Sequence, residues 1–242
     1  MAIAVATLAH VPYEVGDVGL AKMHEAPPIF IYDWNAARVT TATSATTAGR
    51  TRISFTPAAA GDTVFLPFNQ NQIHSVYLPA AGITGFVTAN LSGCRLYIDK
   101  VVGTNDLVIY HANALNIGPY PGGANPLNLD KETVARVQAL DNQHTNARAY
   151  WTAAPPAGQG LNLVAVDGLG ATTYYTSAVR EVQTQQNAGR TNVDFFGGVA
   201  VIGERTAAGW QIHWQTYGDT TYTGKTMMDL NMHVLATGQL HT

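Results

Sequence analysis

Along residues 210–217 the side chains alternate strictly, with Trp210, Ile212 and Trp214 on one parity and Gln211, His213 and Gln215 on the other. An extended strand sorts such a sequence onto two faces, so a sheet here buries one face and leaves the other polar. Thr206-Ala207-Ala208-Gly209 supplies a short glycine-containing turn back to a β-branched run at 199–205, which completes a hairpin. The same pattern recurs along the chain as short runs of β-branched and aromatic residues broken by Gly, Pro, Asn and Asp. Candidate strands are 29–34, 51–55, 63–68, 75–78, 94–102, 107–112, 161–166, 199–205, 210–217 and 231–236. The expected fold class is α+β, mainly β: a β-sandwich of mixed and antiparallel sheets flanked by a few helices.

Helical spacing is rarer. Asp130 can cap a helix from Lys131 to about Ala139, with Val134, Val137 and Leu140 on its apolar stripe. A second, less marked helix runs over 177–186. Residues 119–126, PYPGGANP, read as a loop, and the Thr- and Ala-rich residues 36–50 read as a mobile segment. No internal repeat or linker divides the chain, and 242 residues suit a single domain with one sizeable core.

Charged residues make up 12% of the chain, about half the usual share, so Thr, Asn, Gln and Ser must supply the polar surface. With a net charge of −3 and scattered Lys and Arg, there is no basic field for nucleic acid. Apolar runs reach about eight residues, well short of the roughly 20 that span a bilayer, so no membrane partner is expected. The N-terminal ten residues lack the basic flank of a cleavable signal peptide. His10, His24, His74, His144, His213, His233 and His241 show no zinc-ligand spacing, and the glycines match no nucleotide-binding loop, so neither a metal nor a cofactor is expected. The prolines of Ala153-Ala154-Pro155-Pro156-Ala157 read as a turn. No two carboxylates form a glycosidase pair, and Tyr174, Tyr175, Tyr217 and Tyr222 read as cross-strand packing partners.

One cysteine remains to be explained. Cys94 follows Ser92-Gly93 at the head of a strand, and a histidine, His111, lies on the next strand. A two-residue type II′ turn at Gly103-Thr104 sets Cys94 opposite Asn113, with His111 as the diagonal neighbour of Cys94 on the same face. An imidazole so placed can take the thiol proton and stabilise the thiolate. Gly93 tolerates unusual backbone angles, which lets backbone N–H groups near Gly93 and Cys94 face a developing oxyanion. A lone strand cysteine is ordinarily a small buried hydrophobe, and that remains the alternative.

The string Thr88-Ala89-Asn90-Leu91-Ser92-Gly93-Cys94, with His111 on the following strand, resembles the active site of the glutamine-deamidase toxins, the family of Burkholderia lethal factor and the cytotoxic necrotizing factors. Val64-Phe65-Leu66-Pro67-Phe68 is similar to an upstream strand of that family, and Gly197-Gly198-Val199 with Gly203 and Arg205 more faintly to a downstream one. Residues 62–114 carry most of the likeness, and the first 50 carry none. The connection between Cys94 and His111 is longer than the resemblance leads one to expect.

The resemblance implies catalytic Cys94, His111 and Thr88, with Leu91, Ser92 and Gly93 forming the cysteine motif and oxyanion site. It further implies that a main-chain carbonyl at Thr88 orients the imidazole. The expected activity is deamidation of a target-protein glutamine through a Cys94 thioester, without cofactor, by a monomer. The family's targets include a translation initiation helicase and Rho-family small GTPases, so the expected partner is a host protein. The chain is then expected to be made in a bacterial cytoplasm, exported, and active in a host cytosol. Chemoreceptor-type deamidases and cysteine proteases use the same dyad, and a non-enzymatic β-sandwich binding or structural module is the alternative of a different class.

Overall fold

The computed structural model describes residues 8, 12–16, 18–45, 50–91, 93–114, 134–153, 160–188, 193–220 and 231–240. Ser92, Asp130, residues 131–133, the loop at 119–126, the proline turn at 154–157 and Tyr222 lie outside them. Within them, fourteen strands form two mixed sheets with two helices. The eight-stranded sheet has the order β1 (Tyr13–Val15), β5 (Thr51–Pro57), β4 (Arg38–Ala45), β6 (Thr63–Leu66), β8 (Gly85–Leu91), β12 (Val193–Thr206), β13 (Gly209–Thr220) and β14 (Asn231–Gln239). The six-stranded sheet has the order β11 (Leu163–Leu169), β9 (Arg95–Val101), β10 (Leu107–Ala112), β7 (Ile73–Leu78), β3 (Ile29–Tyr32) and β2 (His24–Ala26). β1 with β5, β6 with β8, and β3 with β7 run parallel, and the other pairs are antiparallel. The mainly-β expectation therefore holds at the level of class and mixed sheets.

The central strands bury both faces, which explains why β10 is buried throughout. Leu107 and Ile109 point into a core shared with Leu66, Phe86, Val201 and Ile212 of the eight-stranded sheet. Val108, Tyr110 and Ala112 point the other way, under helix α1 (Val134–Ala153), where they meet Leu140, Ala147 and Trp151. Helix α2 (Ala171–Asn187) closes the first core with Tyr174, Ala178 and Val182, residues four apart along one helical stripe. A third cluster covers the outer face of the eight-stranded sheet, where Phe65, Val87, Ala200 and Ile202 meet Leu8.

Several local expectations are corrected. Residues 38–45 form a strand in place of a mobile segment, because β-branched Thr40, Thr41 and Thr43 pair along β5. β8 lies in a stretch assigned to no strand, its pattern diluted by Gly85 and Asn90. Gly85 is needed there, since a Cβ would come within 2.7 Å of Thr63 Oγ1 on the parallel neighbour. Helix α1 extends well past residue 139, and its buried stripe is Arg136, Leu140, Ala147 and Trp151, while Val134 is 86% exposed. Helix α2 begins before residue 177, so Tyr174 and Tyr175 are helical and not cross-strand partners. The 199–217 hairpin turns at Thr206–Gly209 as expected, but Gln215 is fully buried. It accepts from the Tyr13 N–H and donates to the Leu8 carbonyl, because the N-terminal segment covers this face of the sheet.

Candidate active site

β9 and β10 set the site's geometry. Their ladder runs from Leu107 opposite Lys100 to Ala112 opposite Arg95, so one further step places Cys94 against Asn113. The turn itself differs from expectation: the Val101 N–H bonds the Asp106 carbonyl, the Thr104 N–H bonds the Val101 carbonyl, and Gly103 at φ +86° takes the third turn position. A longer loop with the same midpoint leaves the register unchanged. Asn113 Nδ2 donates to Cys94 Sγ at 3.2 Å, which fixes the thiol at the inner face of the strand ends.

His111 lies two residues before Asn113 on that face. Its Nδ1 is 2.8 Å from Thr88 Oγ1, and the Thr88 hydroxyl lies 3.0 Å from the Leu66 carbonyl. A carbonyl can only accept, so Thr88 donates to Leu66 and accepts the proton on His111 Nδ1. The side-chain hydroxyl of Thr88, projecting inward from β8 like Phe86, thus performs the orienting that was expected of its main-chain carbonyl. His111 Nε2 carries the lone pair, is buried and has no hydrogen-bond partner among the described residues. Phe68 stacks on the ring at 4.9 Å. Burial, with a smaller contribution from the nearby His74, holds the imidazole far below its ordinary 6.5, at about 3, so it is neutral.

His74 is the cross-strand partner of His111 and provides an internal comparison. Its Nε2 lies 3.0 Å from Gln72 Oε1, which only accepts, and the Tyr32 hydroxyl lies 2.9 Å from its Nδ1. Both nitrogens are therefore satisfied, as a buried structural histidine requires. Two adjacent buried histidines hold opposite tautomers, and only His111 presents an unmatched nitrogen.

The cysteine motif is pinned from two helices. Gly93 has φ +87°, a conformation open to glycine. Its N–H donates to the Tyr174 hydroxyl at 2.8 Å, and that hydroxyl donates to the Cys94 carbonyl at 3.1 Å. The Gly93 N–H is thereby committed to Tyr174, which removes it from the expected oxyanion donors. The Arg136 guanidinium bonds the carbonyls of Gly93 and Ala114. Leu91 ends β8 fully buried, and Ser92 falls outside the described residues.

Thr88 is bonded to His111 and Asn113 to Cys94, His111 Nε2 makes no hydrogen bond to the thiol, and Cys94, His111 and Thr88 are each 0% exposed. The sequence points to no place in the site for Asn113, Arg136, Tyr174 or Phe68. Asn113 had a signal in its place opposite Cys94, and Arg136 in its spacing of four from Leu140 on a buried stripe. Among the described residues no group of three His, Cys, Asp or Glu side chains is placed to hold a metal, and no helix is long and apolar enough to cross a membrane. A scan against protein-family models finds no match to this chain, and neither does a search of the curated proteins.

Proposed function

We propose that this chain is a cysteine hydrolase that deamidates a glutamine of a target protein, with Cys94 as nucleophile and His111 as general base and acid. The observation that carries the reading is the contrast between the two histidines. A buried, unpaired imidazole nitrogen costs about 1–3 kcal/mol, and His74 shows that this core can satisfy a histidine completely. The unsatisfied Nε2 of His111 lies on the same sheet face as Cys94 and suits a group that must accept a proton during a reaction.

In the proposed cycle His111 Nε2 takes the thiol proton as sulfur attacks the side-chain amide carbon. The carbon–nitrogen bond breaks as the imidazolium returns that proton to the departing ammonia, leaving a thioester. A water molecule, deprotonated by Nε2, attacks the thioester; the carbon–sulfur bond breaks, and glutamate and the thiol are released. Asn113 Nδ2, already a donor to the sulfur, supports thiolate character, and Thr88 keeps the imidazole in the tautomer that leaves Nε2 basic. The likeness to the deamidase toxins supports glutamine as substrate and a host protein as its bearer. Mass spectrometry of eukaryotic cell proteins treated with wild type or Cys94→Ser tests this. Wild type alone should convert a glutamine to glutamate; conversion that persists with Cys94→Ser ends the assignment.

Complete burial of Cys94 and His111 favours a second reading, a non-enzymatic β-sandwich in which the thiol is core. On that reading Cys94→Ala changes stability alone, and no protein glutamine is converted.

A further inference from the structure

Thr88, His111 and Cys94 are fully buried, so a substrate reaches them only when something that covers them moves. Both helices touch the cysteine loop through hydrogen bonds: Arg136 of α1 binds the Gly93 carbonyl, and Tyr174 of α2 binds the Gly93 N–H and the Cys94 carbonyl. Lifting either helix would disturb the loop that carries the nucleophile. Residues 67–72 cover the base in a different way. They cross from β6 in the eight-stranded sheet to β7 in the six-stranded sheet, and the partly exposed Phe68 lays its ring on His111 at 4.9 Å and 24°. A stacked ring leaves by rotation about its own side-chain bonds, which breaks no hydrogen bond.

This strap is fastened at both ends to the groups that hold the chemistry. Just before it, the Leu66 carbonyl accepts the Thr88 hydroxyl, which orients His111. At its far end the Asn71 N–H donates to Asn113 Oδ1 and the Asn113 N–H donates to the Gln72 carbonyl, so the donor to Cys94 Sγ is fixed from the same segment. Asn71 has φ +58°, a left-handed turn that asparagine tolerates better than most residues and that bends the chain into this anchor. Between the anchors Asn69 and Gln70 are exposed. We propose that residues 67–72 form the entrance of the site and that Phe68 is its gate: the ring turns off His111 to admit the glutamine side chain, while the anchors at Leu66 and Asn71 keep base and thiol in place. The proposal rests on the hydrolase reading above and adds to it the route that a protein substrate takes. Entry then displaces one side chain and leaves the two sheets closed.

Two measurements on each variant separate a gate from a structural ring. Alkylation of Cys94 by iodoacetamide in native buffer, with loss of iodide, measures access, and urea unfolding measures global stability. A purely structural Phe68 would speed alkylation only by the factor through which its loss raises the unfolding constant. A gate adds an excess over that factor: Phe68→Ala should label about tenfold faster beyond it, at a rate nearly independent of urea at low concentration. Phe68→Trp, which keeps a flat ring, should show no excess. If Phe68→Ala does not fold, Phe68→Leu carries the test, since it keeps apolar volume and loses the flat face, and a smaller excess is expected. A folded Phe68→Ala or Phe68→Leu without excess overturns the proposal, as does an equal excess in Phe68→Trp. 4-Nitrophenyl acetate reports on the hydrolase itself: its acetyl group passes to Cys94 Sγ with release of 4-nitrophenolate, and water then cleaves the thioester. If wild type and Cys94→Ser react identically with it, the hydrolase reading falls and the gate with it; if acylation needs Cys94 and Phe68→Ala shows no excess, the gate falls alone.

Discussion

Thr88 on one sheet and His111 on the other are joined at 2.8 Å, and the Thr88 hydroxyl proton is already committed to Leu66. The hydroxyl can then only accept from His111, so a single side chain sets the tautomer across the sandwich. Thr88→Val keeps the shape and removes this acceptor, leaving the Nδ1–H and the Leu66 carbonyl buried without it. A loss of about 1–3 kcal/mol in urea unfolding is expected, with acylation by 4-nitrophenyl acetate slowed at least tenfold. Thr88→Ser should stay close to wild type in both measurements. An active Thr88→Val would show that the hydroxyl does not orient the base.

The two histidines make the fold sensitive to acid. His111 is held at about 3 and His74 at about 4, each chiefly by burial and each below the ordinary 6.5. Between those values and 6.5 the unfolded chain binds protons that the folded chain refuses, so stability rises with pH through this window. It is fully present above about 6.5 and is lost as pH falls toward 4. Urea midpoints between pH 7 and 4.5 should follow that slope. His111→Phe should flatten it by about 1.4 kcal/mol per pH unit, one proton's share; an unaltered slope would mean that His111 is not buried neutral.

Asn113 makes an opposite demand on each end of its amide. Nδ2 donates to Cys94 Sγ, and Oδ1 accepts the N–H of Asn71, whose φ of +58° is unusual for a non-glycine residue. Asn113→Asp keeps the acceptor and replaces the donor with a charge that repels a thiolate. Alkylation of Cys94 by iodoacetamide at pH 7 should slow at least tenfold in this variant, with its secondary structure intact by circular dichroism. Equal rates in the two proteins would remove Asn113 from the site.

Much of the site's placement was legible in local sequence. The β9–β10 register depends on the midpoint of one turn, and Gly103 marks that midpoint even though the loop is longer than a two-residue turn. The alternation of Trp210, Ile212 and Trp214 likewise predicted their burial. Contacts made across long sequence separations were not legible. Gln215 is buried by Leu8 and Tyr13, more than 200 residues away, and nothing in its own strand announces them. At Arg136 a charge on an apolar stripe reads as an interruption until two carbonyls meet it. Paired Tyr174 and Tyr175 suit a strand, whereas the spacing of Tyr174 with Ala178 and Val182 is helical.

The full burial of Cys94 leads to a last prediction, because a catalytic thiol must become accessible without the whole sandwich unfolding. Opening free energies within one protein range from near zero at mobile segments to the global value in its core. If Cys94 serves catalysis, its labelling by iodoacetamide proceeds through a local opening that is nearly independent of urea at low concentration. The opening free energy obtained from the labelling rate should then lie several kcal/mol below the global unfolding free energy, and Trp151, on the buried face of α1, should keep its native fluorescence throughout. A core cysteine labels only with global unfolding, so the two free energies coincide and share one urea dependence. Measuring both on the same sample decides between the hydrolase and the non-enzymatic sandwich before any target protein is identified.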